Sequence, residues 1–525
     1  MDEAAVRLAD VVAALSVATD FGMGQPPGFA QSSCVLALRL GEALGLSSSA
    51  LREVYYQALL RYIGCNVETD LLAAVAGDEI GFRREFAAID NGSAPDIFQL
   101  FIRFILQTHR GQPPADIMRG LASGLLRLPQ IRASFAGHCE VAQRLATRLG
   151  FDPDVIYALG QLYERWDGQG APRGLKGEAI APAVRVVALA QDALVIYRLA
   201  GAESAAAMVR GRRGTAYAPT VADVFCHHAE RLLAGLEQEP SWSTVLALEP
   251  GDRPWLGPEA LDTACAALAD FVDLKSPFTL GHSSSVAALA SAAAGLAGLP
   301  SGDVRALRRA ALLHDLGRTG VSSAIWEKTG PLSEREWEQV RLHPDYTERI
   351  LAGSSGLAPL GALGSLHHER LDGSGYHRGL PSDLLSPAAR LLAVADAFQA
   401  LVSVRPHRPA FSADQAAAEL ELQVRHGCHD RAAVDAVLAA AGAARYAHPA
   451  NFTAGLSERE LDVLRLLAHG LTTRQVAQRL VISPKTADHH IQHIYTKIGV
   501  STRAGATLFA LEHHLLESAG DPPAR

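Results

Sequence analysis

The chain has few aromatic and few charged residues. Phe, Trp and Tyr make up 6% of its 525 residues, and Asp, Glu, Lys and Arg make up 20%, whereas 48% are hydrophobic. So high a fraction of hydrophobic residues excludes a globally disordered or collagen-like chain. Ala and Leu dominate the apolar residues and enter helices at little cost, which favours helical domains. At roughly 150 residues per domain, three or four domains are expected.

An excess of positive charge is also lacking, since 48 Lys and Arg face 56 Asp and Glu for a net charge of −8. A protein that binds nucleic acid over its whole surface would be basic, so any DNA contact is expected in one small module. No stretch reaches the roughly 18 consecutive apolar residues of a membrane span. The start, MDEAAVRLADVV, lacks the basic segment of a signal peptide. Six widely spaced cysteines form no CxxC pair, which favours reduced, mostly buried thiols in a cytoplasmic protein.

The alternation of period two that marks β-strands is almost absent, so the chain is expected to be all-α. One internal repeat is domain-sized. Residues 58–64 (ALLRYIG) correspond to residues 311–317 (ALLHDLG), and the turn at 163–170 (YERWDGQG) corresponds to 368–375 (HERLDGSG). We therefore predict a degenerate first copy, a Pro-rich linker, a second copy and a separate C-terminal domain. Their expected bounds are 1–236, 237–258, 259–445 and 450–520, with a break at 446–455 and a frayed tail at 521–525.

The second copy places polar residues on apolar helices. Val304, Leu307 and Ala311 mark the buried face of a helix, and His314 continues that face. Asp315 follows at once, and Gly317 is expected to end the helix in a left-handed conformation. A buried histidine beside a buried aspartate is costly unless both are paired or bind metal.

Further residues of this kind follow along the chain, and Asp396 is the most unusual because it lies inside the apolar run LLAVADAFQAL. Imidazoles and carboxylates together suit Fe, Mn, Zn or Ni rather than Ca. An adjacent His-Asp pair suits a binuclear site, in which the carboxylate bridges two metals. The other histidines of this set are His282, His343, His367 and His368.

This ordered set, H…HD…H…HHExxDGxGY…D, resembles the HD-GYP subgroup of the HD-domain metal phosphohydrolases over roughly residues 259–440. The resemblance implies two or three divalent metal ions, Fe or Mn, at a centre that hydrolyses a phosphodiester, usually cyclic di-GMP. It implies that His314 and Asp315 are catalytic, that Asp315 bridges metals, and that Arg318, Arg405 and Arg408 bind the substrate. The implied metal ligands are His282, His314, Asp315, His343, His367, His368 and Asp396.

Four positions depart from the family pattern, although none is an expected metal ligand. His377 replaces the proline of the GYP signature, Arg318 replaces a lysine, Thr347 a glycine and Val404 an aspartate. The departures leave two alternatives to a cyclic di-GMP phosphodiesterase. One is a non-catalytic nucleotide or metal sensor, and the other is a phosphohydrolase of another nucleotide.

The first copy has lost most of the ligand set and keeps only His138. A single imidazole cannot hold a metal centre, so we expect a scaffold there, with a ligand-sensing pocket as the alternative. The residues that replace the other ligands are Phe29, Arg61, Tyr62, Leu162, Tyr163 and Gln191.

Three helix-start signals lie close together near the C-terminus. Ser457 with Glu460 and Thr472 with Gln475 each form a potential capping box, and Ser483 precedes Pro484. Short helices joined by such tight turns form a helix-turn-helix. The segment resembles the LuxR-type DNA-binding domain through LSERELDVLRLLAHGL, the turn before ISPKT and HIYTKIGVSTR.

That resemblance implies four helices, of which the third, at about 484–498, enters the major groove. Residues 457–503 carry 7 basic and 4 acidic side chains; so modest a charge favours a homodimer on paired half-sites. The leading hypothesis is a cytoplasmic transcriptional regulator that does not bind membranes. Its expected partners are double-stranded DNA and a nucleotide. The expected base readers are Asp488, His489 and Gln492, and the expected phosphate contacts are Lys485, Thr486, Lys497 and Arg503.

Overall fold

The structure is a computed structural model that describes residues 5–67, 69–90, 92–108, 113–444 and 454–516. In these ranges it contains 25 α-helices and no β-strand, which confirms the all-α prediction. None of the described helices is both long enough and apolar enough to cross a membrane. Most of the predicted break at 446–455, and the tail at 521–525, lie outside the described residues.

Packing divides the chain into two compact units. The first is Val6–Gly257 together with Ser322–Ala324, and the second contains Pro258–Val321 and the described residues from Ile325 onwards. All six cysteines are free of disulfides, and four of them are buried. The apolar cores therefore form without covalent cross-links.

The first unit is built around α2, α3 and α9, which pack on one another. The segment 237–258, predicted as a linker, packs within this unit. It forms a short helix, and the buried carboxylate of Glu249 accepts hydrogen bonds from Tyr56 and Arg7. The helices are α1 (Leu8–Gly22), α2 (Phe29–Ala43), α3 (Ser48–Leu60), α4 (Thr69–Ala76), α5 (Glu79–Phe86), α6 (Ala94–Thr108), α7 (Pro114–Arg148), α8 (Pro153–Leu159), α9 (Pro182–Gly211), α10 (Pro219–Leu233) and α11 (Trp242–Ala247).

Ten helices follow, all in the second unit except the first two residues of α15, and α13 packs against α14, α19 and α21. This arrangement brings the ends of several helices to one place, where the candidate site lies. The helices are α12 (Pro258–Asp273), α13 (His282–Leu296), α14 (Ser301–Leu313), α15 (Ser323–Trp326), α16 (Glu334–Arg341), α17 (His343–Leu351), α18 (Ala358–Gly364), α19 (Pro387–Val402), α20 (Ala413–Arg425) and α21 (Arg431–Ala444).

The two copies share close contacts as well as sequence. A Cβ atom on Gly64 would lie 1.9 Å from the carbonyl oxygen of His138, and one on Gly317 would lie 2.0 Å from that of His343. In the turns, Glu164 and Glu369 each accept hydrogen bonds of 2.8–2.9 Å from the backbone amides nine and eleven residues later. The repeat predicted from sequence is therefore also a repeat of tertiary structure.

The predicted role of Gly317 was wrong. Helix α14 ends at Leu313, a 3-10 turn follows at Leu316–Gly320, and Gly317 is not among the residues with positive φ. Glycine is needed here because any side chain would collide with the backbone of His343.

Four helices form the C-terminal domain, and all three predicted start signals are confirmed. Ser457 with Glu460 and Thr472 with Gln475 form capping boxes, and the Ser483 side chain accepts from the Thr486 amide. Ala487, Ile491 and Ile494 are buried in one core, which orients the third helix. The helices are α22 (Glu458–Ala468), α23 (Thr473–Arg479), α24 (Pro484–Ile498) and α25 (Arg503–Glu512).

Candidate metal centre and nucleic-acid interface

All seven predicted metal ligands come together in the second unit. The helix ends supply most of them, because His282 begins α13, His343 begins α17 and the His314-Asp315 pair follows α14. Asp396 lies in the middle of α19. All are buried except His368, which is partly exposed. The apolar helices therefore surround a cluster of imidazoles and carboxylates.

The two carboxylate oxygens of Asp315 face different histidines. Oδ2 lies 3.5 Å from Nε2 of His314 and 3.8 Å from Nε2 of His282. Oδ1 lies 3.4 Å from Nε2 of His343 and 3.6 Å from Nε2 of His367. A carboxylate between two sets of imidazoles is placed to bridge two metal ions.

Asp396 completes the cluster from the neighbouring helix. Its Oδ1 lies 3.1 Å from Nε2 of His282 and 3.7 Å from Nε2 of His314. Its Oδ2 lies 3.8 Å from Nδ1 of His368. Asp396 thus connects His368 with the histidines on the Oδ2 side of Asp315.

Backbone hydrogen bonds set the orientation of three imidazoles. Nδ1 of His314, His343 and His367 lies 2.6–2.7 Å from the carbonyl oxygen three residues earlier. A carbonyl only accepts, so each Nδ1 carries the proton and donates it. When the imidazole is neutral, each Nε2 therefore presents a lone pair to the cluster, which is the usual arrangement of a metal-bound histidine.

Unsatisfied atoms in the cluster fit divalent metal ions. Nε2 of His314 is buried without a hydrogen-bond partner. Nε2 of His343 and Nε2 of His367, both lone-pair atoms, lie only 3.0 Å apart. Burying such atoms unpaired is costly, and a cation would satisfy them. Two sets of ligand atoms each lie within 4.8 Å of one another: His343, His367 and His368, and His282, His314 and Asp315.

Burial and the neighbouring charges set the protonation state of each side chain in the cluster. Burial favours a protonated Asp315, but the charges of His314 and Arg318 hold the pKa of Asp315 well below its ordinary value. Burial lowers the pKa of His368 to about 3. Burial lowers the pKa of His314 as well, but the carboxylates of Asp315 and Asp396 outweigh it and raise this pKa to about 9. A metal ion at His314 would therefore bind in competition with a proton.

Two of the three predicted substrate-binding arginines lie beside the cluster. Arg318 donates from Nη1 to Oδ2 of Asp315 over 3.1 Å. Burial, followed by the charge of Arg318, lowers the pKa of Arg405 to about 10, while the nearby carboxylates of Asp396 and Asp315 raise it. The guanidinium of Arg408 instead donates to the carbonyls of Leu401 and Pro409 over 3.0 and 3.1 Å, so it faces the main chain.

Two residues that support the site were not found from the sequence. The Thr347 hydroxyl donates to the His314 carbonyl over 2.8 Å and accepts from the Gly317 amide over 2.9 Å. Trp326 lies under Arg318, 3.8 Å from guanidinium carbon to ring centre, and meets the His343 ring at a steep angle. Thr347 was visible only as a departure from the family pattern, and Trp326 only as one of five tryptophans.

The corresponding place in the first unit has no set of metal ligands. Tyr62, at the position of Asp315, accepts a hydrogen bond from Gln191, at the position of Asp396. His138 lies 3.2 Å from the hydroxyl of Tyr163, at the position of His368. Among the described residues of this unit, no three His, Cys, Asp or Glu side chains converge on a common point.

Helix α24 presents one polar face to solvent. Asp488, His489 and Gln492, the predicted base readers, are exposed, as are Lys485 and Thr486. The opposite face supplies the domain core. Five of the predicted DNA contacts are therefore exposed on this helix.

The other two predicted phosphate contacts have partners inside the domain. Lys497 donates to Oε2 of Glu460 over 2.7 Å and to the Gly455 carbonyl over 3.2 Å. Arg503 donates to the carbonyls of Gly470 and Leu471 over 3.2 and 3.0 Å. Their role at phosphate stays a prediction.

Comparison with protein families agrees with both parts of the structure. The family model described as "HD domain" matches residues 114–221 and 266–432, one segment in each copy. The chain belongs to the HD-domain family. The model described as "Bacterial regulatory proteins, luxR family" matches residues 454–510. This HD-domain protein therefore joins a phosphohydrolase module of a metal-dependent class to a LuxR-type DNA-binding domain.

Relatives of known activity cover much of the chain. It is 33% identical over 426 residues to 3′3′-cGAMP-specific phosphodiesterase 3 of Vibrio cholerae, a match that spans 79% of this chain and 90% of the relative. It is 41% identical over 143 residues to a cyclic di-GMP phosphodiesterase response regulator of Xanthomonas campestris, spanning 27% of this chain and 38% of that one. A crystal structure of a cyclic GMP-AMP-specific phosphodiesterase of V. cholerae superimposes with a TM-score of 0.57 at 29% identity, covering 84% of this chain and 98% of the other.

Proposed function

We propose that the second HD copy is a phosphodiesterase that uses two divalent metal ions, Fe or Mn, bridged by Asp315. The placement of Asp315 carries this proposal, because each of its oxygens faces a separate set of histidines. His282, His314 and Asp396 would hold one ion. His343, His367 and His368 would hold the other.

The bound metals would act as Lewis acids and lower the pKa of water at the site. The protein's own groups would orient the ligands and the substrate. The carbonyl partners of the imidazoles hold their lone pairs towards the ions. Arg318 orients Asp315 through its hydrogen bond, and Arg318 and Arg405 supply positive charge for a phosphate group.

The proposed substrate is a cyclic dinucleotide with 3′–5′ phosphodiester bonds. The names of the relatives support this class, since one acts on 3′3′-cGAMP and another on cyclic di-GMP. The broad coverage of the 3′3′-cGAMP enzyme makes that nucleotide the first substrate to test. The departure at His377 bears on the choice between the two, because it follows Tyr376, whose ring contacts the His343 and His368 rings.

Hydrolysis by the purified full chain tests the proposal. The chain is loaded with Fe or Mn and incubated with 3′3′-cGAMP, cyclic di-GMP and a generic phosphodiester. We expect turnover of a cyclic dinucleotide, its loss in Asp315→Ala, and its retention in the matched exposed variant Asp383→Ala. Metal binding without hydrolysis of any of the three would contradict the enzyme and favour a sensor.

We further propose that the C-terminal domain, at 450–520, reads DNA through α24 as part of a homodimeric transcriptional regulator in the cytoplasm. Gln492 can bind adenine through two hydrogen bonds, and Asp488 can accept from the amino group of cytosine. Lys485 and Thr486 at the start of the helix would contact phosphate. One α24 offers few readers, so a dimer on two half-sites supplies the rest of the specificity.

Selection of bound sequences from random duplexes, followed by mobility shifts, tests this part. Gln492→Ala and His489→Ala should each weaken binding to the selected sequence by roughly 1–3 kcal/mol while non-specific binding is kept. The control is Gln423→Ala, outside the domain, which should bind like the unmodified chain. Equal loss on specific and random DNA would remove these residues as base readers.

A further inference from the structure

The first unit retains buried polar groups that a scaffold does not need. Arg61 lies at the position of His314, and its side chain is 9% exposed. Its Nε and Nη1 atoms are buried without a hydrogen-bond partner. One turn earlier on α3, both amide atoms of Gln57 are also buried without a partner. Each such group costs about 1–3 kcal/mol, so several in one place indicate something that satisfies them.

A second buried guanidinium lies close by. Arg83 is 8% exposed and donates to the carbonyls of Gly22 and Cys65, which are neutral. The charges of Arg83 and Arg61 both act on the Cys65 thiol, although burial still raises its pKa. Two positive charges thus lie around one buried thiol.

The acid near Arg61 only partly balances its charge. Asp192 feels the charge of Arg61, but it already accepts a hydrogen bond from the Tyr217 hydroxyl over 2.8 Å. Burial raises the pKa of Asp192, which weakens it further as a counter-charge. The place that holds metal cations in a complete HD site therefore holds the Arg61 guanidinium here, and its unpaired donors call for an anion.

Aromatic rings next to these cations suit a nucleotide. Tyr62 and Tyr163 keep part of their surface exposed, and they occupy the positions of Asp315 and His368. Phe135 already packs on the Tyr163 ring, with 4.6 Å between ring centres, so a base would stack on Tyr62. Hydrogen bonds from Gln191 to Tyr62, and between Tyr163 and Cys65 over 2.9 Å, fix both rings. A fixed, partly exposed ring offers a stacking surface to a base.

We infer that the first copy binds a nucleotide through its phosphate at Arg61 and does not hydrolyse it. Arginine matches phosphate geometry with paired N–H donors, so a phosphate would satisfy the atoms that lack partners. Without a convergent set of metal ligands in the described part of this unit, the bound phosphodiester stays intact. The choice of cyclic dinucleotide as probe rests on the proposed function; the anion site itself does not.

Nucleotide binding to the chelator-treated full chain tests this inference. Removing metals from the second copy stops hydrolysis there, so binding can be measured without loss of the nucleotide. Equilibrium dialysis with labelled 3′3′-cGAMP should show saturable binding of one nucleotide per chain. Arg61→Gln should weaken it at least tenfold, Arg61→Lys should weaken it less, and Arg213→Gln, an exposed arginine of the same unit, should leave it unchanged. Competition with GMP and with inorganic phosphate then shows whether the base or the phosphate dominates.

Hydrogen exchange on the unmodified chain locates the site even if Arg61→Gln fails to fold. The nucleotide should slow exchange in peptides that cover residues 57–66. No saturable binding, or protection confined to residues 314–320, would overturn the inference. Failure here together with normal hydrolysis by the metal-loaded chain would leave the proposed function intact.

Discussion

Gly317 and His343 lie so close together that a Cβ atom on the glycine would be 2.0 Å from the histidine carbonyl oxygen. The turn after Asp315 is therefore seated directly on the start of α17. This contact holds the turn that follows His314 and Asp315 against the helix that begins with His343. The candidate metal centre thus depends on a backbone contact as well as on the side chains that would hold the ions.

Gly317→Ala should displace His343 and weaken metal binding. The added methyl group cannot fit without a backbone shift, which costs roughly 1–3 kcal/mol or more. We expect less bound metal and at least a tenfold loss of hydrolysis. Gly295→Ala is the control, because a Cβ there meets nothing within 4 Å and alanine favours the helix. Full metal content in Gly317→Ala would show that the contact is dispensable.

Thr347→Val should loosen the turn while keeping its shape. The change leaves the His314 carbonyl and the Gly317 amide without their shared hydroxyl, at a cost of about 1–3 kcal/mol. We expect thermal unfolding of the second unit to begin several degrees lower, with hydrolysis reduced. The exposed Thr263→Val serves as the control. Equal unfolding profiles for the two variants would argue against this role.

Trp326→Leu should impair hydrolysis more than metal binding. The ring supports the Arg318 guanidinium at 3.8 Å, and such cation–π contacts are worth about 0.5–2 kcal/mol. Loss of the ring should let Arg318 leave Asp315 and lower kcat/KM by roughly 2- to 30-fold. Trp337→Leu removes an exposed tryptophan and should have little effect. Parallel loss of metal and activity would instead indicate a packing role.

The C-terminal domain should lose stability in acid through Glu460. Burial favours the protonated form, but Lys497 and Ser457 hold the Glu460 pKa at about 2, below its ordinary 4.5. Because the folded-state pKa is lowered, this stabilisation is complete above pH 4.5 and is lost as the pH falls towards 2. Hydrogen exchange in α22, compared with Glu460→Gln at each pH, measures the difference. A difference that does not change with pH would contradict this account.

The clustering of the predicted ligands could be foreseen because these residues break the apolar pattern of their helices. His314 on a buried face and Asp396 among leucines and valines are anomalous in sequence, and the structure brings them together with Asp315. The role of Gly317 could not be separated in advance, because a left-handed cap and a close backbone approach both call for glycine. Only the packing of α17 on the turn decides between them.

The direction of individual side chains is the other feature that could not be predicted from the sequence. Arg405 and Arg408 are three residues apart, and the family resemblance assigned both to the substrate. Arg408 pairs with the carbonyl of Leu401 at the end of α19, where helix carbonyls lack partners within the helix, and its role at the substrate stays a prediction. Which of two neighbouring arginines meets such a helix end depends on the path of the loop, and sequence spacing does not record it.

Anomalous diffraction from crystals of the full chain grown with Mn or Fe tests the central claim most directly. The account predicts two metal ions in the second unit, one on each side of Asp315 and each bound by one of its oxygens. Asp315→Asn should reduce the occupancy of both ions. A single ion that does not touch Asp315, or hydrolysis of a cyclic dinucleotide by crystals that hold no metal there, would contradict the account.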